Sequence, residues 1–277
     1  MLDRTDHPLR KLRVLVAAYP TLVRNSVQVA LTYRGRMALW ALGGFFPLLL
    51  MAVWLTVVAE GGPPAGWTAA DFLSYYAAAT VLANLSGQHV VWEWDTEMRS
   101  GDLSVRLLRP IHRFHQYATS DLGQRVVFLV VLVPVLALAA LLVPGLDYPI
   151  DAFRLVAVAA ATALAYAVSL LMASTFALIG FWSTQASNAW LLWWGLGSFA
   201  SGWVAPLALM PEWLRAAALV LPFRTTMGFP VELLTGRLNV AQSAYGFAVG
   251  FAWLVVFVVV YRLGWRRGLR RYQAVSG

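Results

Sequence analysis

The sequence predicts an all-α integral membrane protein, and three observations carry that prediction. Of its 277 residues, 60% are apolar and 12% charged, against roughly 45–50% and about 25% in water-soluble domains. A chain of this size cannot hide so much apolar surface from water, so lipid is the solvent that fits it. Six stretches near the length of about 20 residues that crosses a bilayer core as a helix follow one another: residues 37–59, 72–91, 126–143, 155–182, 186–210 and 244–261. No long alternating pattern, of the kind a membrane barrel needs, appears among them. The absence of cysteine excludes disulfides, thiolate zinc sites and thiol catalysis. The net charge of +8 reads, in so apolar a chain, as a membrane-orientation signal and not as a nucleic-acid surface.

The elements follow in chain order. Residues 1–36 form a basic segment without the short apolar run and small-residue site of a cleaved leader. Within it Leu12, Leu15, Val16 and Tyr19 share one helical face. That pattern suits a helix lying flat in the interface and divided at Pro20, the alternative being an ordinary basic flank. The bundle proper covers residues 37–261, its fourth span long enough to tilt, and residues 262–277 form a basic tail. Together they make one membrane domain over 1–277. Seventeen of the 21 basic residues fall in the N-terminal segment, in the loop between spans two and three, and in the tail. Arg154, Arg215, Arg224 and Arg237 fall on the other side. With six spans this predicts a multi-pass protein with both termini cytoplasmic.

Span interiors lack ionisable groups except His89, near the cytoplasmic end of span two, with Glu93 just beyond. A proton- or sodium-coupled transporter would carry a carboxylate near mid-membrane, and a channel a polar filter or charged rings. Nor is there a P-loop, because the sole lysine is Lys11, in Leu-Arg-Lys-Leu with no glycine loop. Energy for any transport must then come from another subunit.

Two segments outside the spans carry pattern. In the cytoplasmic loop, Glu97 precedes Gly101-Asp-Leu-Ser-Val-Arg-Leu-Leu-Arg-Pro110. Gly101 permits a sharp turn, and Asp102 is an expected N-cap for a short helix. Leu103 and Leu107 share a face, Arg106 and Arg109 project elsewhere, and Pro110 ends the helix. Such a helix suits docking into a partner's groove or resting on anionic lipid. The external loop 210–236 is unusually apolar; a short helix from Pro211 to Pro222 there is too short to span, as in a re-entrant or interfacial element.

Smaller signals read as follows. His112 and His115 make an H-x-x-H spacing without a converging ligand set, so no metal site is assigned. Asp121 and Arg125, at i and i+4, form a helix-supporting pair. Gly197/Ser201 and Ser198/Gly202 are small-xxx-small pairs, suited to packing within the subunit or to a second permease or pathway face.

The run Glu97…Gly101-x-Leu103…Leu-Leu-Arg-Pro110 resembles the cytoplasmic signature of type-2 ATP-binding-cassette (ABC) export permeases. Pro-Glu-Trp-Leu…Leu-Pro-Phe…Pro…Gly236 is similar to that family's loop before the final span. The tail Gly-Leu-Arg-Arg-Tyr-Gln-Ala-Val-Ser-Gly277 resembles a less characterised bacterial branch. The resemblance covers nearly the whole chain and implies an interfacial connecting helix, six spans, a coupling helix around Gly101–Pro110, and re-entrant helices before the last span. It implies ABC ATPase subunits that bind ATP-Mg, a second permease (a copy of this chain or a related one), and a bacterial inner membrane. No catalytic residue, metal or cofactor falls to this chain itself. Arg109 departs from the small polar residue common in the family. The uncharged spans suggest an amphipathic, lipid-like or glycan-linked cargo. Two other classes compete: a lipid-modifying membrane enzyme using His112 or His115 as base, and a non-transporting scaffold or regulator of an ATPase.

Overall fold

The computed structural model describes residues 8–32, 35, 43–62, 64–109, 111–142, 146, 148–183 and 185–272. Among them every regular element is helical and no strand occurs. The start of the first expected span (37–42), Pro110 and residues 273–277 lie outside the described residues, as do the side chains of Leu12 and Leu15.

Helix α1 (Pro8–Thr32) runs unbroken through Pro20, where the sequence predicted a division. A proline removes one backbone hydrogen bond, but α1 packs along α6 (Arg113–Leu142), and that contact holds both flanking turns. Ser26 Oγ donates to the Thr119 carbonyl at 2.8 Å, and Gly123 of α6 approaches Ser26 so closely that a side chain there would collide with it. α6 likewise continues through Pro134, and the expected span 126–143 is its second half.

Helix α2 (Phe46–Gly61) packs on α3 (Ala69–Ser86), where Trp54 stacks on Phe72 with centroids 5.2 Å apart. A reciprocal box starts α3: Thr68 N–H donates to Asp71 Oδ2 at 2.8 Å, and Asp71 N–H to Thr68 Oγ1 at 3.3 Å. The expected span 72–91 is not continuous. α3 stops at Ser86, residues 87–89 are non-helical, and α4 (Val90–Ser100) begins anew. The cause is Arg125, whose guanidinium donates to the carbonyls of Asn84 and Gly87. It thereby occupies acceptors that a continuing helix would need.

Past the short α5 (Asp102–Leu107) and α6 lies α7 (Ala152–Ala177), prolonged by one 3₁₀ turn to Phe181. Asp151 caps it by accepting the Arg154 N–H at 2.8 Å. α8 (Ala186–Ala200) follows with 15 residues, about 22 Å of helix, so the expected span 186–210 also breaks. The chain turns at Gly202, in the left-handed region at φ 86°. Three short helices succeed it, α9 (Glu212–Val220), α10 (Pro222–Thr226) and α11 (Gly228–Leu234). Pro222 opens α10, beyond the end of α9 at Val220. Last comes α12 (Val240–Arg271), started by an Asn239/Gln242 box.

α7 is the hub, with α3, α4, α8, α10, α11 and α12 all packed on it. Its alanines explain this: Ala161, Ala165 and Ala173 are fully buried and let neighbouring backbones close in. Among the described residues, α7 with its 3₁₀ extension and α12 are long and apolar enough to cross a bilayer unaided. Of those apolar stretches 44% is buried in α7 and 17% in α12, so α7 is wrapped by protein while α12 presents most of its surface outward.

Candidate coupling site and cavity

The joint between α4 and α5 is one residue. Gly101, at φ 79°, closes the first helix and opens the second, a conformation glycine adopts without a Cβ penalty. The cap is therefore Gly101 itself. Asp102 occupies the first helical position, and its carboxylate accepts the Ser100 hydroxyl at 2.9 Å.

α5 is seated the opposite way from the sequence reading of its faces. Leu103 is fully buried in the cluster of Val91, Trp94 and Tyr117, and Leu107 packs against it. Their shared face is what holds α5 to the molecule. The residues left outward are Val105, 64% exposed, and Leu108, 86% exposed, with exposed Arg109 beside them. Sequence periodicity named the correct stripe but could not say that the molecule itself covers it.

Glu97 is internal. Its carboxylate receives Arg113 Nε at 3.0 Å and Arg113 Nη2, Arg106 Nη1 at 2.9 Å, and the Tyr117 hydroxyl at 2.6 Å. It thus ties α4, α5 and α6 into one knot. Arg113 and Tyr117, unassigned by sequence, complete it across 16 and 20 residues of chain, a separation no local pattern reports. Beside it Asp95, also buried, accepts the Ser187 N–H at 2.8 Å and so holds the first turn of α8 against α4.

Asp121 and Arg125 form the expected pair, at 2.6 Å, and Arg125 also lies over the Tyr166 ring at 4.9 Å. His115 Nδ1 meets the Tyr19 hydroxyl at 2.7 Å, while the His112 ring packs on Trp265 at 4.4 Å. Burial lowers the pKa of both rings, which favours their neutral form. Among the described residues neither hydrogen-bonds a carboxylate, and no cluster has the make-up of a metal site.

Small residues in α8 and just after it make close contacts within the chain. Gly197 lies against the Phe223 ring, with no room for a Cβ. Ser201 Oγ donates to the Ser198 carbonyl at 3.0 Å, and the Gly202 carbonyl accepts the Tyr75 hydroxyl at 2.8 Å. Close by, Arg224 of α10 forms a buried ion pair with Glu232 of α11 at 2.6 Å.

A cavity of about 1430 Å³ runs between these two regions. Its walls include Glu93, Glu97 and Gln124 together with Gly197, Ser201 and Phe223. Burial, followed by neighbouring Glu97, raises the Glu93 carboxyl above the ordinary carboxylate range.

Residues 45–276 match the family described as ABC-2 family transporter protein. No curated protein and no solved structure matches the chain. The match spans most of the chain, including α2 to α12, and permeases of this kind are membrane subunits that work with separate ATPase subunits. The helical bundle, its cavity and the short helix α5 therefore belong to an ABC transporter permease of the type-2 (ABC-2) family.

Proposed function

We propose that this chain is the permease of an ATP-driven exporter in a bacterial inner membrane. In this reading six segments cross the bilayer, both termini are cytoplasmic, and α5 is the coupling helix. The observation that carries the reading is the seating of α5: an inward Leu103–Leu107 face fixes it to the bundle while Val105, Leu108 and Arg109 project. Val105 on α5 and Leu108 just after it offer an exposed apolar surface to a partner. An ATPase subunit supplies one.

Glu97 makes the arrangement mechanical. Motion imposed on α5 passes through Arg106 to Glu97, and thence to Arg113 and Tyr117 at the start of α6. The Asp95–Ser187 contact extends the same path to α8. ATP-driven closure of two motors would thus shift α4, α6 and α8 together and change the cavity they line. Gly197, Ser198 and Ser201 line that cavity, and with Gly202 they form a pathway face or the seam with a second permease, either a copy of this chain or a related one. The cargo is amphipathic, a class that fits a cavity lined by both charged and aromatic side chains.

The test is Leu108→Asp together with Val105→Asp. Both variants are expected to insert and melt like the parent, to lose the ATPase that leaves the membrane with the parent chain in mild detergent, and to uncouple transport from ATP hydrolysis in reconstituted vesicles. Retention of the ATPase and of coupling by both variants overturns the assignment of α5.

A further inference from the structure

The cavity contains one carboxylate that the fold does not use. Glu97 is shared by Arg106, Arg113 and Tyr117, Asp121 is held by Arg125, and Asp102 takes the Ser100 hydroxyl. Glu93 lies one turn before Glu97 on α4 and lines the cavity, yet it makes no ion pair among the described residues. Its hydrogen-bond partner is the neutral side chain of Gln124, from α6.

The arginines of the same wall are committed. Arg113 is buried on Glu97, and Arg125 divides its donors among Asp121 and the carbonyls of Asn84 and Gly87. Arg106 is taken by Glu97, and Arg109 remains, exposed just after α5. An anion reaching depth would have to take donors from carboxylates already bound. A cation meets a Glu93 that no arginine pairs with, the nearby Arg113 charge being bound to Glu97.

The rest of the wall points to the same ligand charge. Trp92, Trp190, Trp193, Trp194, Trp203 and Phe223 all line the cavity. The Asp95–Ser187 contact brings the start of α8, carrying Trp190 and Trp194 at i and i+4, against α4. Indole faces attract cations, by about 0.5–1 kcal/mol when exposed and about 2 or more once water is excluded. We infer that the cavity binds a lipophilic organic cation, its charge set against the Glu93 carboxylate and its apolar body against the tryptophan wall. This names the cargo class of the proposed permease and rests on that reading for its transport, though not for its binding.

Tetraphenylphosphonium and tetraphenylborate share a shape and differ in the sign of their charge, so they isolate the electrostatic term. Quenching of tryptophan fluorescence in the full-length chain, purified in mild detergent, is expected to show the phosphonium binding at least about tenfold tighter, or 1.4 kcal/mol. Glu93→Gln is expected to erase that preference while leaving borate binding unchanged or improved. Equal or tighter borate binding by the parent chain overturns the inference by itself, so a misfolded variant does not shield it. Retention of the preference by a Glu93→Gln chain that melts normally also overturns it. ATPase co-purification reports separately on the permease reading: its loss leaves this binding result intact, and its presence does not rescue a failed one.

Discussion

Leu103 on α5 and Leu108 just after it are five residues apart and have opposite fates, one fully buried and one almost fully exposed. Leu103→Ala is expected to destabilise the chain by about 2–5 kcal/mol, the range for emptying a packed leucine site. Leu108→Ala should stay within about 0.5 kcal/mol of the parent, as exposed substitutions do. Thermal melts in detergent separate the two, and equal melts would reverse the seating of α5. Glu97→Gln leaves Arg113 buried with a weakened partner, and removing one member of a buried pair costs about 3–5 kcal/mol. The melt should fall accordingly. Glu93 behaves differently. Its native pKa is raised above the ordinary 4.5, by burial first and then by Glu97 and Asp121, with Arg113 and Gln124 opposing. In the window above 4.5 the folded chain therefore holds a proton the unfolded chain has released, and stability declines as pH rises through it. Glu93→Gln lacks that decline, so its melting advantage over the parent should be smallest below pH 4.5 and grow as pH rises above it.

At the level of elements, glycine and proline divided into legible and illegible cases. Gly101 was legible, since a lone glycine between two helical patterns marks a turn, and its φ of 79° explains why. Gly101→Ala should cost about 1–2 kcal/mol in the left-handed region, measured as a lowered melt with α4 and α5 otherwise intact. Pro20 and Pro134 were misleading, or silent, because tertiary contacts and lipid decide whether a helix survives the loss of one hydrogen bond. The break in span two was not visible either. It depends on Arg125, some 40 residues downstream, reaching the carbonyls of Asn84 and Gly87. The end of α8 has a similar cause, for Gly197 and Gly202 read as helix-contact residues while their partners, Phe223 and Tyr75, are distant in sequence. Gly197→Ala should destabilise by about 1–3 kcal/mol through overpacking, and Phe223→Leu in the same chain should recover part of that loss.

For the whole molecule, composition alone gave the membrane class, and the order of motifs gave the family that residues 45–276 match. What composition could not give is the knot, because Glu97, Arg113 and Tyr117 have meaning as a set that exists in three dimensions. The absence of cysteine makes the proposed topology easy to test. Single cysteines at Leu108 and Arg270 should react with an impermeant maleimide from the cytoplasmic side, and one at Trp213, 72% exposed, from the outer side. Labelling of Trp213 and Leu108 from one side would exclude the arrangement. Leu108 also has a cellular consequence. A copy produced in excess of its motor would carry a bare greasy knob into the aqueous phase, a nucleus for clumping and a handle for quality-control proteases. If an ATPase covers Leu108 as proposed, overproduction of this chain by itself should shorten its lifetime in the cell, and co-production of the motor should restore it.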